Sequence, residues 1–134
     1  MSELFSLDFK VRDYECDMQG IVNNAVYFHY LEHARHEYLL SRGLDFAALS
    51  RDKINLVVVR SEMDYKASLQ SGDHFIVTVQ YQSVSRLRFG FHQQVRRSSD
   101  NKLMLDAFIT GAALNEQGRP FLPPMLSLLQ PPAA

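Results

Sequence analysis

A single cysteine, Cys16, leaves this chain of 134 residues without any possible intrachain disulfide, which suits a reducing compartment. No run of about 18 apolar residues occurs, so no membrane-spanning helix is expected. No basic segment followed by an apolar one opens the sequence. Met1-Ser2-Glu3 starts acidic and leads quickly into a strand, so no signal peptide is expected and the cytoplasm is the expected location. Charge of one sign is lacking as well. Lys and Arg number 14 against 15 Asp and Glu, and a net charge of −1 offers no global attraction to nucleic acid or an anionic membrane. There is no repeat, low-complexity tract or linker, and the length suits one core of ordinary size. Residues 1–134 are therefore expected to form a single domain.

What the chain does carry is concentrated in DMQGIVNNAVY, Asp17 to Tyr27. A lone carboxylate sits in a glycine-containing turn that runs directly into an amphipathic helix. Asn23 and Asn24 suit a helix N-cap, where a side-chain oxygen accepts from the first free backbone N–H groups. From Asn24 to Arg42, Tyr27, Tyr30, Leu31, Ala34 and Tyr38 follow helical spacing and make one apolar face; Gly43 reads as the stop. Asp17 thus lies beside a helix N-terminus, whose unpaired N–H groups and dipole favour a developing negative charge. A carboxylate next to such an end is what acyl-transfer hydrolysis needs.

The rest alternates with period two. Leu7, Phe9 and Val11 mark a first strand, and Asp45 to Arg51 a short helical link. Asn55 to Lys66 reads as a second strand, whose apolar run 56–59 predicts cover on both faces. Phe75 to Tyr81, Arg86 to His92 and Leu103 to Ile109 follow as further strands, with turns at Ser71-Gly72-Asp73 and Ser98 to Asn101. Gly118 and the prolines 120, 123 and 124 mark a loop out of the sheet, with a short helical turn at Met125 to Leu129. One long helix followed by four antiparallel strands is an α+β arrangement. That order alone allows several folds.

DMQGIVNNAVYFHYLEHAR, with DYEC before it, resembles the signature of the 4-hydroxybenzoyl-CoA thioesterase branch of the hotdog-fold acyl-CoA thioesterases. The matching positions are Asp17, Gly20, Ile21, Val22, Asn23, Asn24, Tyr27, Glu32, Ala34 and Arg35, and the likeness continues through VVVRSEMDYKASLQSGD, residues 57 to 73. It implies a hotdog fold, a curled antiparallel sheet wrapped around one long central helix. It also implies an acyl-CoA thioesterase, with no cofactor and no metal, acting as a homodimer or homotetramer with its sites at the dimer boundary. The functional aspartate of the family maps onto Asp17, as nucleophile on the thioester carbonyl or as general base toward water. The backbone N–H of Asn24 matches the donor that polarises the thioester oxygen. Gly20, Asn23 and Tyr27 are the accompanying substrate-binding positions. Several relatives carry a histidine where this chain has Ile21 or Asn24, so a turn histidine has no part here.

For the nucleotide of CoA, Arg86 and Arg88 are the expected phosphate ligands, read as one side of a strand whose other side is Leu87, Phe89 and Phe91. Arg96 and Arg97 are weaker candidates, and Arg60 is expected to pair with Glu62 or with an acid across the interface. His29, His33 and His36 share a helix face, read as a polar face rather than a metal site. Glu32 and Arg35 are read as an ion pair along or beside the helix. Cys16, with no histidine beside it in sequence, is not expected to be a nucleophile. Two other functions stay open on the same fold: a hydratase or dehydratase, which needs a histidine near an acid, and a non-catalytic acyl-CoA-binding module. The sheet also gives its own reason to expect an oligomer, because one helix leaves an edge strand and a second face to be covered.

Overall fold

The computed structural model describes residues 4–129, apart from the side chain of Phe46. Strands β1 (Phe5–Lys10), β2 (Asn55–Tyr65), β3 (His74–Ser83), β4 (Arg88–Arg97), β5 (Leu103–Leu114) and β6 (Pro120–Phe121) make one antiparallel sheet. Its order is β1-β3-β4-β5-β2, with β6 paired to β5. Helix α1 (Val26–Ser41) lies in the concave face, and α2 (Phe46–Arg51) links it to β2.

The helix is rich in tyrosine and histidine, which are middling helix formers, so propensity does not explain it. Burial does. Tyr27, Tyr30, Leu31, Ala34, Tyr38 and Leu39 are all buried. Each large apolar side chain gains about 1.5–3 kcal/mol by burial, against propensity differences of at most about 0.7 kcal/mol per residue. The tyrosines meet the sheet edge-on or tilted: Tyr30 on Phe75 at 4.8 Å, Tyr38 on Phe5 at 5.4 Å, and Phe9 on Tyr30 at 5.5 Å.

The helix begins two residues later than the sequence predicts. Asn23 Oδ1 accepts from the N–H of Ala25, which uses its capping capacity just ahead of the first helical turn. At the other end Gly43 has φ +84, the N–H of Gly43 donates to Leu40 C=O, and that of Leu44 to Leu39 C=O at 2.8 Å. That pair of bonds is a Schellman stop, and it needs the left-handed residue that glycine supplies. The C-terminal 3₁₀ turn (Pro124–Leu129) is fastened to the same end by Tyr38, whose hydroxyl donates to Leu129 C=O at 2.7 Å.

Two other expectations need correcting. Strand β4 begins at Arg88, so Arg86 lies in the β3–β4 hairpin turn and not in the strand. Pro120 and Phe121, read as loop, pair with Leu114 and Ala113. Strand β5 runs on to Leu114 to receive them.

The two ends of the sheet are set by register. One end holds Lys10 opposite His74, Phe75 opposite Arg97 and Tyr65 opposite Leu105. The other holds Ser83 opposite Phe89, Arg88 opposite Ala112 and Asn55 opposite Leu114. Strand β2 is an outer strand, interrupted by a register shift between Val58 and Arg60. Val58 and Val59 are 52% and 44% exposed there, so the cover expected over 56–59 does not come from within the chain.

Candidate active site

The segment before α1 folds back on itself. Cys16 bridges Val22, the Asp17 N–H donates to Ile21 C=O at 2.8 Å, and the Asn23 N–H donates to Glu15 C=O at 3.0 Å. Between the arms, the Gly20 N–H donates to Asp17 C=O, with Gly20 at φ +82, a conformation an L side chain would strain. The hairpin is fixed to the β2–β3 connection by Val22 N–H to Leu69 C=O at 2.9 Å and by a bridge from Ile21 to Gln70.

Within this frame one oxygen of Asp17 is held. Its Oδ1 accepts from the Gln19 N–H at 2.8 Å, an Asx turn that fixes the carboxylate plane. Its Oδ2 has no protein partner among the described residues, and Asp17 is exposed. Asn24 follows on the returning arm, immediately before the N-terminus of α1. Its N–H donates to no protein acceptor among the described residues, while its C=O accepts from the Tyr65 hydroxyl at 3.1 Å. A carboxylate oxygen and a backbone N–H, both unspent, thus stand on one hairpin at the positive end of a helix.

Gly20, Asn23, Asn24 and Asp17 are brought together here. Tyr27 is not a surface contact: its ring is 2% exposed and its hydroxyl accepts from the Leu69 N–H at 3.1 Å. It reaches ligand space only as a wall, with Asn24 and Tyr65, of a cavity of about 160 Å³. Tyr65, which steadies the Asn24 peptide and meets Tyr27 edge-on at 5.6 Å, is a site residue that sequence reasoning passed over. Its inward place in the alternation of β2 is the signal that would have found it.

Arg86 and Arg88 are not brought to this hairpin within one chain. They lie at the Ser83–Phe89 end of the sheet, whereas the hairpin lies at the Tyr65 end. The 16 residues of α1 run between, about 24 Å at 1.5 Å per residue. Arg97 is paired with Asp100 at 2.7 Å, Arg96 bonds Gln94 and the Asn101 C=O, and Arg60 pairs with Glu62 at 3.3 Å as expected. Cys16 is unsuited to nucleophilic work: partial burial, then the acids Asp13, Asp17 and Glu15, push its thiol pKa up. Among the described residues no group of His, Cys, Asp and Glu is arranged to hold a metal ion.

A second space lies under the middle of the helix. A cavity of about 350 Å³ opens between α1 and the β4-β5-β2 part of the sheet. Leu39, Phe89, Phe91, Ile109 and Val58 give it apolar walls, and Glu32, Arg35 and His36 line its helix side. Burial lowers the pKa of His36, which keeps that ring neutral near pH 7. Glu32 and Arg35 do not form the expected ion pair. Arg35 Nη1 instead donates to Gln93 Oε1 at 3.1 Å, across to β4.

A curled antiparallel sheet around one long helix, with a carboxylate hairpin at the helix start, is the architecture of the hotdog proteins. The Thioesterase-like superfamily profile matches residues 11–129, and the chain belongs to that family. It is 35% identical over 120 residues to the acyl-acyl carrier protein thioesterase ATL3 of Arabidopsis thaliana. The match covers 90% of this chain and 63% of that one, so the chain spans less than two thirds of that relative. Among solved structures it superposes on a hypothetical protein from Aquifex aeolicus with a TM-score of 0.87. There the identity is 28%, covering 94% of this chain and 99% of the other. The 1,4-dihydroxy-2-naphthoyl-CoA thioesterase of Synechocystis gives a TM-score of 0.86 over 93% of each chain at 19% identity, a likeness of fold.

Proposed function

We propose that this chain hydrolyses acyl thioesters, releasing the acid and a thiol, with Asp17 carrying the chemistry. The observation behind this is the pairing of a half-engaged carboxylate with an unpartnered N–H at a helix start. The Asn24 N–H receives the thioester oxygen as it gains negative charge. A lost donor of that kind typically costs on the order of 3 kcal/mol of transition-state stabilisation. Asp17 Oδ2 then either attacks the carbonyl carbon or takes a proton from an attacking water. In the first route the C–S bond breaks as the thiolate leaves with its electron pair, and the acyl-aspartate anhydride that remains is hydrolysed by water to the acid and free Asp17; in the second, water adds directly and the thiolate leaves with the electron pair. Gly20 and Asn23 shape the turn in both.

The assembly follows from the free edge. The Tyr65 end of β2 lies at the Asp17 hairpin, and its Leu56–Val58 end lines the larger cavity. A two-fold, antiparallel pairing of two β2 edges therefore sets the hairpin of one protomer beside the cavity end of the other. The same operation carries the Arg86 and Arg88 end of the partner toward the first protomer's hairpin. The substrate is an acyl-CoA held in this way, with the two arginines serving in trans; the assembly is a dimer or a dimer of dimers. The relative ATL3 is named for acyl carrier protein thioesters, so the carrier is part of the test.

Asp17→Asn keeps the shape of the turn and removes the charge. Turnover of acyl-CoA and acyl-carrier thioesters should fall by about a hundredfold or more, with folding and particle mass unchanged. Near wild-type hydrolysis by this variant sinks the assignment. Cys16→Ala is the control and stays active.

A further inference from the structure

The larger cavity has one wall that an ordinary hydrocarbon chain does not need. Arg35 lines it, and among the described residues only one of the five N–H donors on its guanidinium is matched by a protein acceptor, Gln93 Oε1. Gln93 is 0% exposed, and its own Nε2 donates to Leu31 C=O at 3.1 Å. That second bond fixes the amide. Turned over, it would set its NH₂ against the guanidinium and its oxygen against a carbonyl, losing both bonds. The glutamine therefore orients Arg35 without neutralising it. Glu32 acts on Arg35 electrostatically from beyond ion-pair distance. Burial lowers the Arg35 pKa to about 10, so the group is still a cation at neutral pH.

We propose that Arg35 is a specificity-determining residue. It receives an oxygen on the acyl group, so the cavity takes apolar acyl chains bearing an oxo or hydroxyl oxygen in preference to plain chains of equal length. This rests on the thioesterase reading above and names the substrate class of that site. Leu39, Val58, Phe91 and Ile109 accommodate the hydrocarbon, and the unmatched Arg35 donors ask for an acceptor. A plain chain would displace water from those donors and offer nothing in return, which a polar site punishes more than an apolar one. Gln93, whose side chain hydrogen-bonds Arg35 and the Leu31 carbonyl of the helix, is a positioning residue.

The test uses the purified full chain and CoA thioesters of one chain length, plain or carrying a single hydroxyl or oxo group at successive positions. Wild type should show, at one or more positions, a kcat/KM at least about tenfold above that of the plain chain. Arg35→Met, close in length and uncharged, should lose about tenfold on that oxygenated thioester and much less on the plain one. Arg35→Lys, which keeps charge and donors, should retain part of the preference. The proposal is overturned if wild type favours the plain chain at every position, or if Arg35→Met lowers both substrates equally. Should no thioester be cleaved, the hydrolase reading fails by itself. Non-cleavable thioether analogues of the same pair then decide this one, a tenfold tighter Kd for the oxygenated analogue supporting it and equal values overturning it.

Discussion

The two halves of the concave face are built to different ends. Under β1 and β3 the helix packs ring against ring: Phe9, Tyr30 and Phe75 interlock at 4.8–5.5 Å, and Tyr38 seals the far end against Phe5. Toward β5 and β2 the same helix stands off. A cavity remains, Gly111 has no side chain to fill it, and Val58 is half exposed. One helix thus spends its aromatic residues on ring packing along one side, and on the other it faces an apolar cavity beside an exposed outer strand.

Substitutions on the two sides should separate accordingly. The largest effect belongs to the packed side. Tyr30→Ala removes a ring that is 4% exposed and the hydroxyl that donates to Glu15 Oε1 at 2.8 Å. Urea unfolding should show a loss of about 3–5 kcal/mol. A loss below about 1 kcal/mol would mean the two halves are not so different. On the open side, Val58→Asp should leave the subunit fold intact, since surface changes sit within about 0.5 kcal/mol. Light scattering should instead show a smaller particle, with thioesterase activity falling alongside it. A full-size, fully active particle would place the subunit contact elsewhere.

Gly111→Ala probes the cavity itself. The new Cβ would lie 2.6 Å from the Phe89 ring, so that ring must move. Activity should fall more for bulky acyl groups than for short ones when kcat/KM is compared across chain length. Uniform values would mean the cavity is not where the acyl group goes. The smallest effect is expected for Arg86→Ala with Arg88→Ala. If these exposed residues hold the nucleotide phosphates, remote from the reacting carbonyl, KM should rise while kcat stays nearly constant, the sign of lost uniform binding. A pantetheine thioester, lacking the nucleotide, should be cleaved equally by wild type and the double variant.

How far the sequence could be read follows the distance over which each feature is made. The Asp17 hairpin closes within a few residues, and its glycine, asparagines and following helix are local signals, so the frame around Asp17, Gly20, Asn23 and Asn24 was legible. The tyrosine face of α1 was legible because burial repeats with the helical turn. Arg35 was misread as a helix-surface ion pair because its true partner, Gln93, is 58 positions away and is supplied by the sheet. A polar residue at an inward position between Phe91 and Val95 was the available hint. Arg86 and Arg88 were grouped on one strand face, but the strand starts only at Arg88, since hairpin turns move boundaries that alternation cannot see.

The shift in β2 between Val58 and Arg60 has a consequence for solubility. A long, regular outer strand is a template on which any extended chain can grow, and growth of that kind has no natural end. A bulge inserts one unpaired residue and bends the strand, so a newcomer finds matching donors and acceptors over only a short stretch. A second copy carrying the same kink, turned by a two-fold, meets it in a single register and leaves that edge consumed. The irregularity at Val59 thus guards the exposed edge against open-ended growth, and a mate pairing there would have to carry a matching kink.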